Sequence, residues 1–135
     1  MLKPAAFAAA AAMTAVLALP AGAQDHSRTE RVQFARGASS ATLQGNLHGY
    51  DTVDYVLGAR RGQTLNVRLQ PTNASAYFNV TRQGADEALF IGSTSGNQFS
   101  GQLPANGDYV VRVYLMRNAA RRDEHANYTL TVGVR

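Results

Sequence analysis

His26, His48 and His125 are the only three imidazoles in this 135-residue chain, and it contains no cysteine. Disulfides, thiolate zinc sites and a cysteine nucleophile are therefore excluded. The histidines never form H-x-x-x-H or another close pair, which argues against a histidine-based metal site. His48, Asp51 and Asp54 lie near one another, as do Asp123 and Glu124. No D-x-[DN]-x-[DN]-G loop is present to wrap calcium, so these acids read as exposed turn residues. Ser39 and Ser40 with His48 and Asp51 supply the residue types of a nucleophilic triad, but no G-x-S-x-G elbow presents them. The chain is therefore read as a non-enzyme with no catalytic residue, no metal and no cofactor.

Two features suit binding instead. Tyr50 sits at the centre of Gly49-Tyr50-Asp51, where a large ring has nothing to pack on unless the loop folds back; it is an exposed aromatic anchor or a cover for the end of the fold. The segment from Arg117 to Ala126 is ten residues long, lacks apolar alternation, and holds Arg117, Arg121 and Arg122, three of the chain's 12 arginines. Connections longer than topology requires tend to carry function. Guanidinium forks suit carboxylates and phosphates.

These residues are positioned by short strands. Residues 1–23 read as a secretory signal: Lys3, an apolar stretch from Ala5 to Leu19, and a small-residue cleavage site at Ala21-Gly22-Ala23. The apolar stretch is shorter than the ~20 residues of a membrane span. Cleavage would leave a single domain, 24–135, with 12 arginines against nine acids, or +3. That is a weak field for nucleic acid, and export removes the usual partner. The protein is expected in the periplasm, with no membrane span.

From residue 30 onward the apolar residues alternate with period two. Strands are predicted at Val32–Phe34, Leu43–Leu47, Val53–Leu57, Leu65–Leu69, Phe78–Val80, Leu89–Ile91, Phe99–Leu103, Tyr109–Leu115 and Tyr128–Val134. Pro71 stops the fourth strand, and Gln24 to Thr29 is read as a polar leader. Turn signals every 8 to 12 residues predict an all-β fold, an antiparallel β-sandwich or jelly roll of about eight or nine strands. Tyr55, Tyr109 and Tyr128 fall on the inward faces, with hydroxyls expected to reach the edge.

The strings Gly45-Asn-Leu-His-Gly-Tyr-Asp-Thr-Val-Asp-Tyr, Leu103-Pro-Ala-Asn-Gly-Asp-Tyr and Asn127-Tyr-Thr-Leu-Thr-Val resemble the pre-peptidase C-terminal type of β-sandwich. Within that group, Val32 to Ala41, His48-Gly-Tyr-Asp51 and Arg117-Asn-Ala-Ala-Arg-Arg122 resemble the bacterial periplasmic inhibitors of goose-type (g-type) lysozyme. The resemblance spans Val32 to Val132 and is loose between residues 71 and 98. It implies that Tyr50, Arg117 and Arg121 contact lysozyme, with Asp51 and Asn118 completing the two motifs. It also implies a protein partner, g-type lysozyme, with an endogenous lytic transglycosylase of related fold as a second target left open. A carbohydrate- or peptidoglycan-binding sandwich without inhibitory activity is the alternative. The Ser-Gly-x-Tyr motif of inhibitors of other lysozyme types is matched only by Asn106-Gly-Asp-Tyr109, with asparagine in place of serine.

Overall fold

The structure, a computed structural model, describes residues 27–135. The expected signal, residues 1–23, lies outside the described residues. Nine strands follow in order: β1 (Ser27–Arg31), β2 (Ser40–His48), β3 (Thr52–Ala59), β4 (Thr64–Pro71), β5 (Ala76–Arg82), β6 (Ala88–Ile91), β7 (Gln98–Gln102), β8 (Gly107–Leu115) and β9 (His125–Val134). Two one-turn helices interrupt them, α1 (Gly92–Ser95) and α2 (Arg117–Arg121). The strands form a five-stranded sheet, β1-β3-β8-β5-β6, and a four-stranded sheet, β2-β9-β4-β7. This is the all-β sandwich that the period-two pattern predicts.

The alternation determines which residues meet between the sheets. Leu65, Val67 and Leu69 on β4 are at most 3% exposed, while Arg68 and Gln70, on either side of Leu69, point to solvent. Tyr109, Val111 and Val113 on β8, in the other sheet, are fully buried in the same core. Tyr55 on β3 and Tyr128 on β9 donate one hydroxyl to the other at 2.6 Å inside the core. Their hydroxyls thus satisfy each other across the two sheets and do not reach the edge as expected. Burial and the Tyr55 hydroxyl both raise the Tyr128 phenol well above its ordinary value. Tyr109 does reach a loop: its hydroxyl donates to the Ala105 carbonyl at 2.6 Å.

Two expectations need correction. The polar leader ends sooner than its sequence suggests, because Ser27–Arg31 forms β1, paired in parallel with β3 from Ser27↔Thr52 to Arg31↔Val56. It is an edge strand whose side chains are mostly exposed, so no apolar alternation marks it. The strand predicted at Val32–Phe34 is not formed. The Val32 amide still donates to the Val56 carbonyl at 2.9 Å and its side chain enters the core, after which the chain crosses to the other sheet. A third difference concerns facing: on β6 it is Phe90 that packs inward, leaving Leu89 and Ile91 on the outside.

Candidate functional site

Three connections converge at one end of the sandwich: the turn from β2 to β3, the link from β4 to β5, and the segment from β8 to β9. The first is His48-Gly49-Tyr50-Asp51. Gly49 has φ of 61° while Tyr50 does not enter that region, the sign pattern of a type II′ turn, which favours glycine first. The His48 amide donates to Asp51 Oδ2 at 3.2 Å and the Asp51 amide to the His48 carbonyl at 3.1 Å. Asp51 thus braces the turn. Tyr50 projects from it and is 47% exposed.

The third connection is shorter and more ordered than the ten-residue loop expected. β9 already begins at His125, and Arg117–Arg121 forms α2. Ala119 and Ala120 are buried in the core, which turns Arg117, Asn118 and Arg121 to the opposite arc of the helix, all exposed. The helix ends through Asp123, whose φ of 57° is left-handed. The Asp123 amide donates to the Ala120 carbonyl and the Glu124 amide to the Ala119 carbonyl, satisfying groups that a helix terminus leaves unpaired.

Backbone and side chains tie the two connections together. The Gly49 amide donates to the Glu124 carbonyl at 2.9 Å. A Cβ at Gly49 would lie 3.3 Å from Asp123 Oδ1 and 3.7 Å from the Ala120 carbonyl. His48 and His125, opposite each other in the β2–β9 register, stack with ring centroids 4.2 Å apart. Asn73, from the β4–β5 link, donates through Nδ2 to Glu124 Oε1 and to the His125 carbonyl, both at 3.0 Å. Arg122 Nε donates to Glu124 Oε2 at 2.8 Å. The hydrogen bonds from Asn73 and then Arg122 hold the Glu124 carboxyl below its ordinary value of 4.5.

All five residues singled out in the sequence, Tyr50, Asp51, Arg117, Asn118 and Arg121, therefore belong to one end of the molecule. Arg117 and Arg121 form no ion pair among the described residues, whereas Arg122 is held by Glu124. Asn118 Oδ1 accepts from the Ala119 amide at 2.8 Å, so it shapes the start of α2. Sequence reasoning missed Asn73 and the stacked histidines, which position the site; for Glu124 the pairing with Arg122 was expected from their closeness in sequence, but not the contacts with Asn73 and Gly49. The Ala119-Ala120 pair between arginines four residues apart was the available signal for a helical turn with one buried face.

Among the described residues no group of three or more His, Asp or Glu side chains could hold a metal. Asp54, considered above with His48 and Asp51, instead receives a two-pronged contact from Arg112 at 2.7 and 2.9 Å. Asn106-Gly-Asp-Tyr109 lies at the other end of β8, about 26 Å away at ~3.3 Å per residue. There Asn106 Oδ1 accepts from the Arg61 amide and buried Tyr109 bonds to Ala105, which is a structural use of the motif.

No family model matches the chain. The curated inhibitor of g-type lysozyme from Escherichia coli (strain K12) is 33% identical over 109 residues, covering 77% of this chain and 79% of the relative. Among solved structures, Aeromonas hydrophila PliG, a periplasmic lysozyme inhibitor of g-type lysozyme, is 41% identical with a TM-score of 0.77, covering 83% of this chain and 100% of that one. A mutant of the Escherichia coli PliG is 30% identical with a TM-score of 0.63, covering 82% and 99%. The pre-peptidase C-terminal domain of a Bacillus anthracis collagenase, at 14% identity and a TM-score of 0.52 over 83% of this chain and 97% of that one, shows likeness of fold alone.

Proposed function

The chain belongs to the family of inhibitors of g-type lysozyme, and from that premise we propose that it blocks the peptidoglycan-hydrolysing cleft of a g-type lysozyme with the end that carries Tyr50, Arg117 and Arg121. The observation that supports this reading is the convergence of the turn and α2 through the Gly49–Glu124 hydrogen bond. It sets an exposed ring and two guanidiniums free of ion pairs among the described residues on one rigid end. A glycoside hydrolase cleft holds catalytic carboxyl groups, and guanidinium forks satisfy carboxylates bidentately. The ring suits a sugar subsite. Blocking a cleft needs no chemistry from the blocker, in keeping with relatives that are inhibitor proteins and not enzymes.

The two PliG structures are of inhibitors described as periplasmic. The same location is proposed here, with residues 1–23 removed as a signal. N-terminal sequencing of the exported protein should begin at Gln24, and a membrane-bound species retaining Met1 would contradict it.

The purified domain, 24–135, assayed against goose-, chicken- and invertebrate-type lysozymes and a lytic transglycosylase tests the activity. Inhibition is expected for the goose type and weaker or absent for the chicken and invertebrate types, because the Asn106–Tyr109 segment is turned to structural use. Inhibition of the transglycosylase would add it to the targets. Binding to peptidoglycan with no inhibition of any enzyme would favour the carbohydrate-binding alternative.

A further inference from the structure

Four large apolar side chains stand exposed among the described residues: Tyr50 (47%), Leu89 (40%), Ile91 (43%) and Met116 (37%). All belong to the five-stranded sheet or to the end of the sandwich just described. The register joins all but Leu89 through two half-buried tyrosines. Thr52, which follows the Tyr50 turn, lies opposite Tyr114 on β8, and Tyr114 lies opposite Tyr77 on β5. Ile91 lies opposite Asn79, so it is the diagonal neighbour of Tyr77 on the same outer face. Met116 follows two residues after Tyr114 and immediately precedes Arg117. The result is an aromatic and aliphatic belt across β8, β5 and β6, about 10 Å wide at ~4.8 Å per strand, separated by Thr52 on β3 from the turn that carries Tyr50.

The rest of that outer face differs in kind. The ion pair Asp54–Arg112 borders the belt, in the cross-strand row of Asn79 and Ile91, and Arg31–Asp108 lies towards the far end; the charges of both pairs are already satisfied. Tyr77, Tyr114 and Met116 therefore lie nearest the unpaired guanidiniums of α2, with Ile91 one row further along the sheet. A specific interface of standard size buries ~800 Å² per partner and uses ~20 to 30 residues a side. Five residues in a turn and a one-turn helix fall well short of that. Tyrosine, methionine and arginine are the residue types that such interface cores favour.

Building on the proposed inhibitory role, we infer that the belt of Tyr77, Ile91, Tyr114 and Met116 is the second part of the lysozyme-contacting surface, seated against the wall beside the cleft while Tyr50, Arg117 and Arg121 enter it. Charge would be supplied by one part of the surface and apolar area by the other.

The test measures inhibition of a g-type lysozyme by the wild-type domain, by Ile91→Ser and Met116→Ser singly and together, and by Gln44→Ala on the outer face of the other sheet. Neutral replacements keep long-range attraction to an acidic cleft unchanged. Both serine positions are exposed, so thermal unfolding should hardly move. The double variant should need about tenfold more protein for half-inhibition, the equivalent of ~1.4 kcal/mol, with Gln44→Ala unchanged. Wild-type potency in the double variant, or an equal loss in Gln44→Ala, would overturn the belt while leaving the cleft reading intact. Loss in the double variant but none in either Arg117→Ala or Arg121→Ala would uphold the belt against the cleft reading. Absence of inhibition by the wild type would remove both. If the substitutions leave inhibition intact but convert a dimer to a monomer in sedimentation, the belt is a self-interface and the inference falls.

Discussion

Arg117 and Arg121 have no carboxylate within ion-pair distance among the described residues, while Arg122, next along the chain, is held by Glu124 at 2.8 Å. Neighbours of one type are therefore expected to behave differently. Truncating a desolvated arginine that pairs with a partner's carboxylate costs ~2 to 5 kcal/mol. Arg117→Ala or Arg121→Ala should thus weaken inhibition by more than tenfold in at least one case, with little change in melting temperature. Tyr50→Ala should also weaken it, and Arg122→Ala less so, by the same inhibition assay. A larger effect from Arg68→Ala or Arg82→Ala, both remote from this end, would move the site elsewhere. Gly45 illustrates the opposite case, a residue that matters for folding alone. A Cβ there would come within 2.6 Å of Tyr128 Cζ, displacing the ring whose hydroxyl meets Tyr55. Overpacking of this kind costs ~1 to 3 kcal/mol, so Gly45→Ala should lower the denaturant midpoint while the folded fraction keeps full inhibitory potency.

The elements at the site end are held by few contacts, and Glu124 is central to them. Its carboxylate receives Asn73 and Arg122 while its backbone carbonyl receives Gly49. Because the folded-state value is depressed below 4.5, the carboxylate's contribution is present above that value and is lost as pH falls through the folded one. Between about pH 6 and about pH 3 the wild type should therefore lose more thermal stability than Glu124→Gln, as read by melting temperature at each pH. Equal losses would show that the carboxylate does not carry the coupling. The strands on either side were legible in the sequence because burial on one face imposes period two, as at Leu65, Val67 and Leu69. β1 was not legible, since an exposed edge strand has no inner face to mark. α2 left only a faint mark, two small residues between arginines four apart, because a single helical turn shows no repeat and its two alanines pack by being small. Tyr50 and the arginines could be singled out as surface residues of a turn and a long connection. Their assembly through Asn73 and Glu124 depends on three connections distant in sequence, which no local pattern records.

At the scale of the whole molecule, the two ends of the sandwich differ in what they present. One end, with Asn106 and Tyr109, closes the core through loop hydrogen bonds; the other presents an aromatic turn and an arginine helix braced from beneath by Ala119 and Ala120. A rigid scaffold with its binding groups on short connections holds them in place before the partner arrives, which limits the ordering cost of association. If that end occupies the cleft, the inhibitor and a sugar chain cannot be bound there together. The most direct measurement is the dissociation constant of the domain for a g-type lysozyme at increasing concentrations of a soluble N-acetylglucosamine oligomer that fills the cleft. Competitive behaviour is predicted, with the apparent dissociation constant rising linearly with oligomer; a value that stays constant once the cleft is saturated would contradict it.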